Sequence, residues 1–276
     1  MLSTVLFISF FTMIIHLTES LAYSLRLAGF RTKQIAVALS FVTSTLLVSR
    51  LSNMFQAPFI GFLVDSTVLL DSGQAVSQLQ MSFRIIIFAA SLGVVVGMFL
   101  TPTILILFKR AIELFKEGKS IPGIFLKSLN PKTIIKILHC FKLPSVRMLL
   151  QLKFRALPKA FLVANIIVGA IHCIGVLSAM LAGAMMPEFR STAIQLSGIV
   201  NGIATITLTL FVDPPGARIT DDVLQGRRPE ADLRSVVFFM QLSKLIGVAV
   251  FSQLLFVPMA HYVLWVTRVL IQWGAF

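Results

Sequence analysis

Half of the 24 Lys and Arg residues of this chain lie between Lys109 and Lys159, opposed there only by Glu113 and Glu117, and long apolar runs make up most of the rest. That asymmetry sets both the solvent and the orientation. A water-soluble globule does not combine 57% hydrophobic with 13% charged residues and a mean hydropathy of +0.92; a polytopic membrane protein does. Short Lys/Arg-rich loops resist translocation, so 109–159 is expected on the cytoplasmic side. The net charge of +13 then reflects topology and attraction to anionic lipid. Nucleic acid is disfavoured as a partner. Its binding calls for base-stacking aromatics among the cations, whereas the 24 Phe residues sit mostly in the apolar runs.

A bilayer core takes about 20 mostly apolar residues per helix. Six stretches qualify: Met1–Leu17 with an extension to about Tyr23, Ile35–Val64, Ile85–Phe108, Ala160–Met186, Ser191–Val212 and Ser235–Trp265. Asp213-Pro-Pro-Gly reads as a strong helix stop after the fifth. With 109–159 inside, Tyr23–Gln34 falls inside with Arg26, Arg31 and Lys33, and Asp65–Phe83 falls outside with Asp65 and Asp71 but no Lys or Arg. Pro187–Arg190 is nearly neutral and outside, while Val212–Arg234 is inside with Arg218, Arg227 and Arg228. Every loop agrees, which predicts an all-α, six-helix membrane protein with both termini extracytoplasmic. The first segment lacks the basic start and small-residue cleavage site of a secretory signal, so it reads as a retained span. Cys140 and Cys173 offer neither a disulfide framework nor a metal-type spacing and read as two free thiols.

The chain divides into a first half, 1–108, a basic connector, 109–159, and a second half, 160–276, within one integral membrane domain. In Pro131–Phe141 the apolar Ile134, Ile135, Ile137, Leu138 and Phe141 oppose Lys132, Lys136, His139 and the following Lys142, the pattern of a basic amphipathic helix. Val146–Phe154, with Arg147, Gln151 and Arg155 in one row, suggests another. Such helices lie in the interface, where each cation near anionic lipid contributes about 1 kcal/mol.

The halves echo one another. Arg84-x3-Phe88-x3-Leu92-x4-Gly97 matches Arg234-x3-Phe238-x3-Leu242-x4-Gly247 without a gap, and Ile15-His16 before Leu27-Ala28-Gly29 resembles Ile171-His172 before Leu181-Ala182-Gly183. With three spans per half, the second enters the bilayer from the opposite side. Inverted repeats of this kind build transporters with a site near the midplane.

A charge at the bilayer centre costs roughly 2.5–3.5 kcal/mol even on forgiving scales, so it normally faces protein or water. Arg50 lies well inside the second span and Lys244 inside the sixth. Thr43, Asn53 and Ala57 share the Arg50 face, with Ser49, Ser52 and Gln56 beside it, a stripe that lipid would reject. Thr12, His16, Glu19, Tyr23 and Arg26 form one face of the first span. Glu19 and Arg26 sit near the inner interface on this reading, and His16 with Glu19 is expected as a hydrogen-bonded pair rather than a metal site, since two ligands are too few. Gly93-x3-Gly97 and Gly198-x3-Gly202 permit close helix contact, first within one subunit and second in a dimer; a monomer or homodimer fits either.

Enzyme motifs are missing: there is no Gly-x-Ser-x-Gly elbow, no His-Glu-x-x-His and no phosphate-loop Gly-Lys-Ser/Thr, and no cofactor is implied. His16-Leu-Thr-Glu19-Ser-Leu-Ala-Tyr23-Ser-Leu-Arg26-Leu-Ala-Gly29-Phe-Arg31-Thr32, together with Val48-Ser-Arg50-Leu-Ser-Asn53-Met-Phe-Gln56-Ala-Pro58 and Gly61-Phe-Leu-Val-Asp65, resembles the Amj family of bacterial lipid II flippases, the alternates to MurJ. The likeness extends over essentially the whole chain, including the Asp213-Pro-Pro-Gly-Ala-Arg218 turn. It implies a cytoplasmic-membrane protein that carries the undecaprenyl-pyrophosphate-linked precursor of peptidoglycan to the outer leaflet. The physics of the spans suits that substrate. Arg50, Asn53 and Gln56, with Lys244 from the other half, are the candidate substrate contacts, since Arg offers phosphate a bidentate fork. His16, Glu19, Tyr23, Arg26 and Arg31 are the candidate gating or proton-handling residues. Two other classes stay open at this point: a membrane enzyme acting on polyprenyl phosphate, and a small-anion or proton-coupled carrier.

Overall fold

The computed structural model describes residues 1–67, 72–128, 130–145, 150–154 and 157–274, and among these residues it contains helices and turns but no strand. Helices α1 (Leu2–Ala22), α2 (Leu25–Thr32), α3 (Ile35–Asp65) and α4 (Ser72–Lys116) make the first half. The connector holds α5 (Ile121–Ser128) and α6 (Pro131–His139). The second half consists of α7 (Lys159–Met185), the short α8 (Arg190–Gln195), α9 (Ser197–Thr207), α10 (Asp213–Leu224), α11 (Glu230–Ile246) and α12 (Ser252–Gly274). Six helical rods are long and apolar enough to cross a membrane: 2–32, 35–65, 73–116, 159–185, 187–224 and 230–274. Number and order agree with the sequence reading.

The second and fourth also agree in length, and the other four are longer than expected. In the third rod α4 is 45 residues long; at about 1.5 Å per residue it exceeds twice the thickness of a bilayer core. It begins at Ser72 rather than Ile85, so most of the expected outer loop is helix, and Asp71 lies outside the described residues. In the first rod, α1 passes through one turn at Tyr23–Ser24 into α2, which ends at Lys33 in the left-handed region. Glu19 consequently sits midway along a 31-residue rod.

The expected stop at Asp213-Pro-Pro-Gly is also corrected. A π-helical turn, Leu208–Val212, leads into α10, whose first turn carries the two prolines. Proline is tolerated there because first-turn N–H groups have no intrahelical acceptor anyway. A second π turn, Gly247–Phe251, joins α11 to α12.

Small residues bring the rods together. A Cβ on Gly93 would overlap the Met13 backbone, one on Gly97 would press on Ser20, and one on Gly247 would overlap the Ile166 backbone. These contacts seat α4 on α1, and the sixth rod on α7. Gly198 and Gly202 differ: nothing lies within 4 Å of a Cβ at either, so the close packing expected there within one chain is not made. Phe83, Ile87 and Leu63 of the first half meet Ile174, Leu181 and Phe256 of the second in a shared core. Across it Arg84 Nη1 donates to the Gln253 backbone carbonyl and side chain, both at 3.0 Å, and Gln253 Nε2 donates back to the Arg84 carbonyl at 3.0 Å. The second rod packs on the first and the fifth on the fourth, and both are the least buried. Only 22% and 17% of their most apolar windows are buried, against 50–61% in the other four.

In the connector, α6 forms where the amphipathic pattern begins. The first four residues of the second stretch, 146–149, including Arg147, lie outside the described residues, as does Arg155.

Candidate functional site

A cavity of about 790 Å³ opens between those two poorly buried rods. Its walls are apolar: Ala38, Leu39, Val42 and Leu46 of α3 on one side, Leu208, Ala217 and Leu224 of the fifth rod on the other. Its floor is polar, with His16 and Glu19 from α1, His172 from α7 and Lys244 from α11. Towards the connector end it is rimmed by Arg26, Asp213, Arg218 and Asp221.

Lys244 is 5% exposed, and its Nζ donates to Glu19 Oε2 at 2.5 Å. Breaking a buried pair by removing one partner leaves an uncompensated charge, which typically costs about 3–5 kcal/mol. The pair links the two halves of the chain, with the Glu19 side chain 29% exposed. Ser49 Oγ donates to the other carboxylate oxygen of Glu19 at 3.3 Å, linking α3 to the same group. Gly169 lets α7 approach the Lys244 backbone closely. Beside the pair, Tyr23 Oη donates to Asn165 Oδ1 at 3.2 Å, and Asn165 Nδ2 donates to the Met240 carbonyl and Ser243 Oγ at 2.8 and 2.7 Å. Gln241, one turn before Lys244, donates to the Ser20 carbonyl and Thr101 Oγ1. The polar side chains that the sequence scatters over five spans thus converge on one plane.

The expected His16–Glu19 hydrogen bond is not made. Their closest approach is 3.9 Å, and His16 Nδ1 is buried without a hydrogen-bond partner among the described residues. The carboxylate has turned to Lys244, a stronger donor, and His16 faces the cavity instead. At the rim Arg26 Nη2 donates to Asp213 Oδ1 at 3.0 Å, joining α2 to α10. Arg31 donates to Glu230 Oε1 at 3.0 and 2.8 Å, joining α2 to α11 outside the cavity.

The second-span candidates divide. Gln56 is buried, accepts from Thr12 Oγ1 at 2.8 Å and donates to Asn53 Oδ1 at 3.1 Å. Arg50 and Asn53 are exposed, and neither lines the cavity. Arg50 lies one turn beyond Leu46 on the stripe that begins with Leu39 and Thr43, which do. The structure therefore does not bring Arg50 and Lys244 together; it gives Lys244 to Glu19. Sequence reasoning misses Asp213, Arg218 and Asp221, which it places in a loop, and gives no role to His172 and Asn165, polar groups within a span. For the last two the signal is present, because an imidazole and an amide at membrane depth need polar company.

The family model described as "Amj: Alternate to MurJ" matches residues 11–267. A curated protein of Bacillus subtilis (strain 168), named Lipid II flippase Amj, is 39% identical over 266 residues, which span 96% of this chain and 97% of that one. No solved structure matches.

Proposed function

The chain belongs to the Amj family, and from that premise we propose that it is a lipid II flippase of the bacterial cytoplasmic membrane, a transporter rather than an enzyme. Its substrate has a polyprenyl tail at home in lipid, and a pyrophosphate with a large polar head that cannot cross unaided. The observation that carries the reading is the cavity: polar floor, apolar flanks, and two poorly buried rods on either side. The head is held inside, while the tail stays in the bilayer between the second and fifth rods.

With the connector cytoplasmic and both termini outside, the cavity opens inward and is poised to load. The basic connector and α6 rest on anionic headgroups there. An entering pyrophosphate competes with Glu19 for Lys244 and with Asp213 for Arg26, so the substrate itself unlocks the ties between the halves. His16, Tyr23 and Arg31 complete the inner gate. Arg50, Asn53 and Gln56, farther along the same α3 stripe, receive the phosphates on the outward path. Two inverted three-helix repeats account for the arrangement: the matched His16 and His172 face one cavity, and the matched Gly97 and Gly247 each seat on the first rod of their own half.

Outward transfer of negative charge is favoured by an inside-negative potential, by about 2.3 kcal/mol per charge per 100 mV. The deciding experiment is genetic. Expression of this chain should sustain growth and outer-leaflet lipid II when the cell's other lipid II flippase is depleted, and Lys244→Gln should not. Lysis in both cases would reject the reading.

A further inference from the structure

A second, smaller cavity of about 370 Å³ lies on the opposite side of the bundle, between the third and sixth rods at the connector end. Its inner surface is apolar, with Val95, Met98, Phe99, Phe238 and Leu245. Phe99 is 55% exposed, so the groove is flanked by the lipid-facing surface. Its mouth is cationic. Arg31 and Arg234 both donate to the single Oε1 of Glu230, at 2.8–3.1 Å. Two guanidiniums on one carboxylate leave a positive charge, and each remains about a third exposed.

Pro144, Gln151 and Leu152 of the connector line this groove, and described residues next to them are pinned to the bundle. Lys142 exchanges backbone hydrogen bonds with Thr103 Oγ1 at 2.9 and 3.0 Å, and the Lys153 amide donates to Ser235 Oγ at 2.9 Å. Phe154 packs edge-on against Phe239 at 5.3 Å. Lys142 and Lys153 are themselves exposed. A cationic mouth above an apolar groove open to the bilayer matches one chemistry: a phosphate headgroup with an acyl chain below it.

We propose that this groove is a binding site for an anionic glycerophospholipid, separate from the transport cavity, which clamps the connector onto the third and sixth rods. The large transport cavity has balanced charges and room for a bulky head; the groove has neither. Its guanidiniums suit a small phosphodiester, and its walls suit a single chain.

The test is native mass spectrometry of the purified full chain in mild detergent, titrated with phosphatidylglycerol or phosphatidylcholine. Phosphatidylglycerol should bind about tenfold more tightly, a difference of about 1.4 kcal/mol, because phosphatidylcholine adds to the same phosphodiester a trimethylammonium that the arginines repel. That margin should disappear in the double variant Arg31→Gln/Arg234→Gln. Met98→Trp, which fills the groove without touching a charge, should weaken phosphatidylglycerol binding to a similar extent, so the result does not rest on a variant that disturbs Glu230. Equal affinity for both lipids, undiminished binding in Met98→Trp, or displacement of phosphatidylglycerol by equimolar lipid II would each overturn the proposal.

Discussion

At the residue scale, Lys244 and Arg50 pose opposite problems. Lys244 is buried and paired with Glu19; Arg50 is exposed on a helix that must cross lipid. Lys244→Ala is expected to lower stability by about 3–5 kcal/mol, because it strands the Glu19 charge, whereas the double change Glu19→Gln/Lys244→Met should restore much of the loss while leaving transport dead. Thermal melts of the purified variants, read beside a translocation assay, would show this pattern; an inactive double variant no more stable than Lys244→Ala would contradict it. Arg50→Ala should abolish translocation with an unchanged melt, since insertion loses a cost of roughly 2.5–3.5 kcal/mol. Arg50→Lys should be markedly impaired, as a point charge cannot give phosphate a bidentate fork. Full transport by the alanine variant would remove Arg50 from the path. As single oddities Glu19 and Lys244 were both legible in the sequence, because a charge among apolar neighbours stands out by itself. Their pairing was not: the two lie 225 residues apart, and no local spacing encodes a contact between spans of different halves.

At the element scale, hydropathy located every span but misjudged most ends. A charged or polar residue ends an apolar run, yet it does not end a helix. Gln78, Gln80 and Arg84 extend α4 towards Ser72, and Arg110 and Lys116 carry it past the bilayer. The prolines after Asp213 failed as a stop for a related reason, since they open α10. Glycines separate packing from open surface more sharply. Gly93→Val should drive a side chain into the Met13 backbone and destabilise by about 1–3 kcal/mol or more, whereas Gly198→Val, with open space around it, should melt like wild type. Equal melting of the two variants would mean that α1 and α4 do not meet as described.

At the scale of the whole molecule, orientation is the testable quantity. A cysteine introduced at Gln74 should react with an impermeant thiol reagent in intact cells, while Cys140 in the connector should react only after the membrane is opened. The reverse pattern would turn the loaded cavity outward and reverse the proposed cycle. The fold class and the Amj resemblance were legible because both rest on contiguous strings. The cavity was not, because it is assembled from five rods.

The six charged side chains that line that cavity are Lys244, Arg26 and Arg218 against Glu19, Asp213 and Asp221, so the unloaded site carries no net charge. In the proposed cycle an empty carrier swinging back would drag no net charge of this cavity through the field, and the potential would act through the cavity on the loaded stroke. The site would thus act as a rectifier, with voltage speeding export without slowing the reset, so that a pyrophosphate cargo alone would set the direction.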